Sequence, residues 1–203
     1  MKFELVKKVP VVELNGKKCF VDTGYPGVGT ALNPSVQEFF GIPGLCVAGV
    51  GSLKRYTKFD YLNCEITTSD EPITLEGGDA MPMEIRENCK WPGWLVKMTV
   101  GGVEGMYYID TGAAYSYVHN LPSQFQAAEE AEDCGFSGKS FKAPMRRVPC
   151  EFAGHQFEIL CGDAKDNPEY VPNEGVIGYD FFNNFAVVVD RTAGKMTFVK
   201  KQT

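Results

Sequence analysis

GMYYIDTGAAYSYV (residues 105–118) contains an Asp-Thr-Gly tripeptide at the end of a run of β-forming residues. The carboxylate of Asp110 would therefore lie at the end of an apolar strand, where burying a charge is costly. The same tripeptide already occurs at Asp22, in KKCFVDTGYPG (residues 17–27). A given tripeptide is expected at roughly one position in several thousand. Two copies in similar surroundings therefore indicate that the pair has a function.

The chemistry of paired carboxylates explains why two copies are needed. Two carboxylates about 3 Å apart cannot both ionise, so they share one proton. One can then act as a general base on a water molecule, while the protonated one donates to a substrate carbonyl. Asp22 and Asp110 are therefore the candidate catalytic residues, and each would make the burial of the other tolerable.

The residues after each Asp suit a close approach of two loops. Gly24 and Gly112 have no side chain and would let the two backbones come close together. The hydroxyls of Thr23 and Thr111 can hydrogen-bond across the contact without adding charge. We expect these four residues to support the two loops.

Short β-type runs separated by many glycines and prolines predict a mostly β protein. In each half, a hairpin leads into Asp-Thr-Gly, and a short helical stretch follows (residues 33–41 and 121–136). The halves look like diverged copies, which predicts two related lobes, residues 1–90 and 91–203. The segment ENCKWPGW (residues 87–94) is the expected junction.

These segments resemble the active-site loops of aspartic proteases of the retropepsin-like family. The matching stretches are FVDTG, YIDTGAAYSYV and EGVIGYDFFNNFAVVVD, and the resemblance extends over residues 8–45 and 94–200. It implies the pepsin/retropepsin (acid protease) fold, with two β-barrel lobes and short helices. In that fold a strand, here Val176, Ile177 and Gly178, passes beneath the Asp-Thr-Gly loop. Ala113 takes the small-residue position after the second motif.

The resemblance implies an aspartic endopeptidase, a hydrolase that cleaves peptide or protein substrates. The substrate would lie extended across a cleft between the lobes, with bulky apolar side chains around the scissile bond. No metal or organic cofactor is needed, because carboxylates activate the water. Both motifs lie in one chain, so a monomeric pseudo-dimer is expected, with a homodimer as the alternative.

The sequence departs from the family pattern in places. Tyr25 follows the first motif where a small residue is usual, and it is a candidate for facing the substrate. The first-half counterpart of the threading strand is expected in TLEGGDAM (residues 74–81). Because Ala113 cannot donate a hydrogen bond to the dyad, we expect the dyad to titrate higher than that of pepsin, with activity nearer neutral pH.

Two Gly-bearing segments lie where the family has hairpin flaps over the cleft. They are AGVGSLKRY (residues 48–56) and CGFSGKSFK (residues 134–142). Glycines would let a hairpin tip bend and open. The candidate flap residues are Gly49, Gly51, Tyr56, Gly135 and Gly138.

Three alternatives remain open. The protein could be an inactive peptide-binding module of the same fold, or a homodimeric protease that uses only Asp110 of each chain. The third, a metal or Cys–His enzyme using His119 or His155, has little support, because the Cys and His spacings match none of the usual zinc patterns.

Composition narrows the function classes. The net charge of −6 argues against a nucleic-acid binder. No apolar stretch is long enough to span a membrane, and the first ten residues lack the apolar core of a signal peptide. Seven cysteines without a CxxC pair indicate free thiols in a reducing compartment, so a cytoplasmic location is expected.

Overall fold

The computed structural model describes residues 1–87, 89 and 92–201. The predicted mostly β fold class is confirmed, since strands far outnumber helices in the described residues. The first-half elements are β1 (Glu4–Val6), β2 (Val9–Leu14), β3 (Lys17–Asp22), β4 (Thr30–Ala31), α1 (Pro34–Phe40), β5 (Cys46–Gly49), β6 (Tyr56–Asp60), β7 (Glu65–Ser69), β8 (Asp79–Pro82) and β9 (Glu84–Arg86). The later elements are β10 (Gly93–Val100), β11 (Val103–Ile109), β12 (Ser116–Val118), β13 (Glu129–Cys134), β14 (Ser140–Phe152), β15 (His155–Asp163), β16 (Gly175–Ile177), α2 (Tyr179–Asn184), β17 (Phe185–Asp190) and β18 (Lys195–Lys200).

The strands form three sheets. The first has the order β1-β2-β3-β5-β4, and the second has the order β13-β14-β15-β12-β16-β11-β10-β9, with β14 also pairing β10. In both sheets the strand that leads to Asp-Thr-Gly pairs in parallel with a later strand, β3 with β5 and β11 with β16. The two halves therefore repeat the same local arrangement around each motif.

The third sheet contains strands from both halves. Its order is β7-β6-β17-β18-β8, and the antiparallel pair β6 and β17 lies at its centre. The hairpin β6–β7 is thus the counterpart of the hairpin β17–β18. The predicted division into residues 1–90 and 91–203 stays a prediction, and its proposed junction includes residues 88, 90 and 91, which lie outside the described residues.

The largest hydrophobic core lies between the sheets and draws on both halves. Aromatic side chains fill much of it, and Trp94, Phe59, Phe152, Phe181 and Phe182 are fully buried. Phe59 contacts both Trp94 and Phe182, with ring centroids 5.8 and 5.5 Å apart. This packing joins the first half to the second beneath the site and fixes their relative position.

The two helices are short. Helix α1 begins as expected, because Asn33 accepts a hydrogen bond from the backbone N–H of Ser35 and Pro34 occupies the first turn. It ends at Gly41, which has a left-handed conformation. None of the helices formed by the described residues combines the length and the hydropathy needed to cross a bilayer.

The prediction of a helical stretch in residues 121–136 is wrong. Residues Glu129–Cys134 form strand β13, which pairs with β14 in a long hairpin. Pairing with a neighbouring strand overrides the helical preference of the Glu- and Ala-rich sequence. The glutamates lie on an edge strand, where charge discourages pairing with other chains.

The expectation of free thiols needs one correction. Cys19 and Cys46 form a disulfide between β3 and β5, because the two residues face each other directly in the parallel register, with Cα atoms 4.4 Å apart. Cys150 and Cys161 are buried thiols, as expected. The cytoplasmic location, which relied on the absence of disulfides, stays a prediction.

Candidate active site

The two Asp-Thr-Gly motifs meet at the centre of the molecule. Asp22 ends strand β3 and pairs with Gly49 of β5, while Asp110 directly follows β11 and donates its backbone N–H to Ile177 O of β16 (2.9 Å). Each Asp is therefore held at the end of a strand by a parallel neighbour. The sequence dictates this locally, because both strands are apolar up to the carboxylate and turn residues follow at once.

The loop threonines bind each other reciprocally. The backbone N–H of Thr23 donates to Oγ1 of Thr111 (3.2 Å), and the backbone N–H of Thr111 donates to Oγ1 of Thr23 (3.1 Å). Each hydroxyl then donates across the contact, from Thr23 to Ile109 O (3.2 Å) and from Thr111 to Val21 O (2.8 Å). Both threonines are fully buried, so these four hydrogen bonds fix the two loops relative to each other without charge.

The carboxyl groups lie face to face between the loops. The backbone N–H of Gly24 donates to Oδ1 of Asp22 (2.7 Å), and that of Gly112 donates to Oδ1 of Asp110 (2.8 Å). The same N–H of Gly24 lies 3.3 Å from Oδ1 of Asp110, so the two carboxyl groups share this donor. A Cβ at Gly24 would lie 2.7 Å from Oδ2 of Asp110, and a Cβ at Gly112 would lie 2.5 Å from Cγ of Asp22. Only glycine permits this approach.

Burial changes the protonation of the pair. Desolvation raises the pKa of Asp22 well above its usual range, and the neighbouring charge of Asp110 raises it further. Desolvation also raises the pKa of Asp110, but hydrogen bonds from Gly112, Asp22 and Gly24 oppose the rise. Burial of the pair therefore favours one shared proton over two ionised carboxylates.

Glycines beneath the loops show how closely the two halves match. A Cβ at Gly49 would overlap the backbone carbonyl of Tyr25, and a Cβ at Gly178 would overlap that of Ala113. Val50 N–H donates to Tyr25 O (2.8 Å), just as Tyr179 N–H donates to Ala113 O (3.0 Å). Each loop is thus supported from below by the end of a parallel strand.

The threading strand of the first half lies elsewhere than the sequence predicts. In the second half, β16 carries Val176 and Ile177 to Gly178. In the first half the equivalent strand is β5, whose end pairs Val21 with Ala48 and Asp22 with Gly49. TLEGGDAM instead leads into β8 at the edge of the third sheet. The connection from Asp22 to β5 is much shorter than the connection from Asp110 to β16. The equivalent strand therefore comes earlier in the first half than the glycine pattern of TLEGGDAM indicates.

The first predicted flap is not a hairpin tip. Gly49 ends β5, Gly51 lies in the 3-10 turn Val50–Ser52, and Tyr56 begins β6. These residues run beneath the first loop and into the third sheet. The glycines are needed for close backbone packing there, since a Cβ at Gly51 would lie 2.7 Å from the carbonyl oxygen of Pro26.

The second predicted flap is a hairpin tip. Strands β13 and β14 pair up to Cys134 and Ser140, and the tip between them contains Gly135 and a left-handed Gly138. At the tip, the ring of Phe136 stacks on Tyr25 of the first half, with centroids 5.8 Å apart. Tyr25 is thus in contact with the hairpin tip.

Polar contacts also hold this tip. The side-chain amide of Asn33 donates to Ser137 O (3.3 Å), and the backbone N–H of Ser137 donates to Oε1 of Glu169 (3.2 Å). The tip therefore bridges the cleft, with one contact in each half of the molecule. Phe136 and Glu169 were not singled out from the sequence, although an aromatic residue at a Gly-bearing turn was a usable signal.

A cavity of about 520 Å³ opens beside the dyad under this hairpin. Asp110, Gly112 and Tyr25 line it near the motifs, and Phe136 lines it at the hairpin tip. Most of the other lining residues belong to the second half, including the aromatic side chains of Tyr115 and Tyr117. An extended chain segment that occupies this cavity would therefore lie against the exposed side of the dyad.

A hydroxyl missing from the sequence prediction supports the second loop. The backbone N–H of Gly178 donates to Oγ of Ser116 (3.1 Å), and Ser116 is fully buried. Ala113 bonds through its backbone alone, since its N–H donates to the carbonyl oxygen of Asp110 (3.3 Å) and its carbonyl accepts from Tyr179, and its methyl side chain offers no donor to the Asp110 carboxyl group. The two histidines make other contacts, since His119 bonds to Val171 O and His155 approaches the exposed Asp79.

Comparisons with known proteins add one finding. No protein-family model matches the chain, and no curated protein matches it in sequence. Among solved structures, the chain is similar to an aspartic proteinase from Irpex lacteus, with 11% identity and a TM-score of 0.43. The match covers 75% of this chain and 58% of that structure's chain. The chain therefore spans less than two thirds of the length of that structure.

Proposed function

We propose that this protein is an aspartic endopeptidase of the retropepsin-like type, with Asp22 and Asp110 as its catalytic dyad. The observation that carries the proposal is the reciprocal threonine contact, which holds the two carboxyl groups together between the loops, both in reach of the Gly24 N–H. Two carboxyl groups held this close together destabilise the fold unless they share a proton. Such a costly arrangement is typical of an active site.

The proposed mechanism places the shared proton on the fully buried Asp22 and the negative charge on Asp110, which lines the cavity and accepts hydrogen bonds from Gly112 and Gly24. Asp110, as carboxylate, removes a proton from a water that attacks the scissile carbonyl carbon, while Asp22 gives its proton to the carbonyl oxygen. The tetrahedral diol then collapses. Asp110 donates its new proton to the leaving nitrogen, Asp22 recovers a proton from the diol, and the C–N bond breaks. The dyad returns to its starting state, so neither a metal nor an organic cofactor is needed.

The substrate is proposed to be an extended peptide or protein segment beneath the β13–β14 hairpin. Phe136 at the tip is 51% exposed, which leaves it free to contact a substrate when its stack on Tyr25 opens. Movement of this hairpin would admit the chain and then exclude water from the dyad. Both acids come from one chain, so we propose that the monomer is active.

A peptide-library digest at several pH values tests the proposal. Asp22→Asn and Asp110→Asn should each lower kcat/KM at least about a thousandfold, because each removes one member of a general acid–base pair. Asp79→Asn, on an exposed residue, is the matched control and should retain activity. A transition-state-mimicking hydroxyl inhibitor such as pepstatin should block the wild-type activity.

The same digest separates the alternatives. Loss in Asp110→Asn alone would indicate a homodimer that uses one Asp per chain, and sedimentation would then show a dimer. Absence of cleavage at every pH, with retained peptide binding, would indicate an inactive peptide-binding module. Activity that chelators or thiol blockers remove would contradict a carboxylate mechanism.

A further inference from the structure

The cavity beside the dyad is lined by acidic side chains. Three carboxylate residues line it, namely Asp110, Asp133 and Glu169. Among the described residues that line it there is no Lys, Arg or His. Asp110 belongs to the dyad, and Glu169 accepts a hydrogen bond from the hairpin tip. Asp133 has neither of these roles.

Asp133 lies on the inner side of the hairpin, one residue before the strand ends. It shares a strand face with the buried Ala131, while Glu130 and Glu132 point to solvent. The phenolic O–H of Tyr117 donates to Oδ2 of Asp133 (3.0 Å), and the backbone N–H of Cys134 donates to Oδ1 (2.8 Å). The hairpin therefore presents a carboxylate to whatever it covers.

No Lys, Arg or His of the described part of the chain forms an ion pair with Asp133. Asp60, Asp163 and Asp190 are also shielded from solvent, and each has a Lys or Arg nitrogen within 3.1 Å. Among the described residues no such nitrogen lies within 4.0 Å of Asp133. The ammonium of Lys8 acts on Asp133 only at longer range and lies over the ring of Tyr115, 4.1 Å from its centroid.

A substrate bound under the hairpin would increase the cost of burying the Asp133 carboxylate. It would remove water from Asp133, whose pKa burial already raises above its ordinary value. An ionised carboxylate that loses its water needs a positive partner. The dyad solves the same problem by sharing a proton, but Asp133 has no second carboxyl group in hydrogen-bond contact among the described residues.

We infer that Asp133 is a specificity-determining residue that selects a Lys or Arg side chain in the substrate, close to the scissile bond. This inference rests on the proposed function, because it places a peptide in the cavity beside the dyad. The aliphatic stem of the basic side chain would pack on Tyr117, Val171 and Val176, and its charged end would reach Asp133. The bulky apolar preference implied by the family resemblance is thereby replaced at one position.

The test uses peptides that differ at one position only, which carries Lys, Arg, norleucine or Glu. Each position within three residues of the scissile bond is varied in turn. At one position, wild type should cleave the Lys or Arg peptide at least about tenfold faster in kcat/KM than the norleucine peptide. Asp133→Asn, which keeps a hydrogen-bond acceptor for Tyr117, should lose this preference and still cleave the norleucine peptide. Glu132→Gln, on the outer face of the same strand, is the matched control and should keep the preference.

Binding measurements separate this inference from the proposed function. Non-cleavable hydroxyethylene analogues of the Lys and norleucine peptides are titrated into wild type and Asp133→Asn, whose folding is checked by thermal unfolding. If nothing is cleaved but the Lys analogue binds more tightly to wild type alone, the inference holds and the peptidase proposal fails. If peptides are cleaved or bound with no preference for a basic residue at any position, or if Asp133→Asn keeps that preference, the inference is overturned. If Asp133→Asn fails to fold, the wild-type preference for Lys over norleucine decides.

Discussion

The two halves of the molecule build the same support for a carboxylate but differ in what covers it. In both, a strand ends at Asp-Thr-Gly and a parallel strand below it ends at a glycine, Gly49 or Gly178. In the second half, long hairpins are inserted between motif and glycine, and one of them reaches over the cleft. The first half has only β4 and α1 in that place.

The difference separates two requirements of the site. Holding two carboxyl groups together demands matching loops, so the threonine and glycine contacts are nearly identical in both halves. Covering the cleft demands only one hairpin, and the second half supplies it. Where the second half continues into helix α2, the first has a single 3-10 turn, Val50–Ser52. The first half is thus reduced to what the dyad needs.

The largest expected effect comes from the glycines beneath the loops. Gly49→Ala and Gly178→Ala should each cost about 3 kcal/mol or more in the free energy of unfolding, because Cβ overlaps a backbone carbonyl that cannot move aside. Gly29→Ala is the control, since its Cβ would meet open space and only the left-handed conformation costs about 1 kcal/mol. Chemical denaturation measures all three. If Gly49→Ala left the free energy of unfolding unchanged, the first half would not be built like the second.

Thr23→Val and Thr111→Val test the symmetry of the loop contact. Each removes a buried hydroxyl that both donates and accepts, so each should cost about 2–4 kcal/mol and reduce activity. The double variant should cost less than the sum, because the two residues share their hydrogen bonds. Thr57→Val is the matched control, as that buried hydroxyl makes one hydrogen bond. Full additivity in the double variant would contradict a shared contact.

Stability as a function of pH tests the shared proton of the dyad. A raised pKa means that the folded state keeps a proton that the unfolded Asp loses above about pH 3.9, so wild-type stability falls as pH rises from there to the folded pKa. Asp22→Asn removes this loss, so its free energy of unfolding should rise relative to that of wild type by up to about 1.4 kcal/mol per pH unit in that window. Asp110→Asn should rise in the same direction, because burial also raises the pKa of that carboxyl group. Thermal unfolding from pH 3 to 8 measures both, and a gain in neither variant would contradict a shared proton.

The smallest expected effect concerns the tip of the β13–β14 hairpin over the cleft. Phe136→Ala removes the stack on Tyr25 and should raise KM several-fold, or about 1 kcal/mol, with little change in global stability. Leu62→Ala, at an exposed turn of the first half, is the control and should change neither. Steady-state kinetics on one peptide suffices. An unchanged KM for Phe136→Ala would show that the hairpin tip does not contact substrate.

Much of the site could be predicted from local sequence. Apolar runs ending in Asp-Thr-Gly indicated two strands and two loops, and the family resemblance implied that Val176, Ile177 and Gly178 form the strand beneath the second loop. The first-half equivalent, ending at Gly49, was assigned to a flap instead. Glycines at a hairpin tip and glycines under a loop look alike in sequence, because the same lack of Cβ serves both.

The sequence by itself determined the strand ends, the acids and the loop residues, since these depend on neighbours along the chain. Only the tertiary structure decided which strands pair in parallel, that residues 129–134 form a strand, and that Cys19 lies against Cys46. It alone also brought Phe136 to Tyr25 and Asp133 to Tyr117. Such contacts join residues far apart in the chain, and their energies depend on packing and desolvation, which a local pattern does not specify.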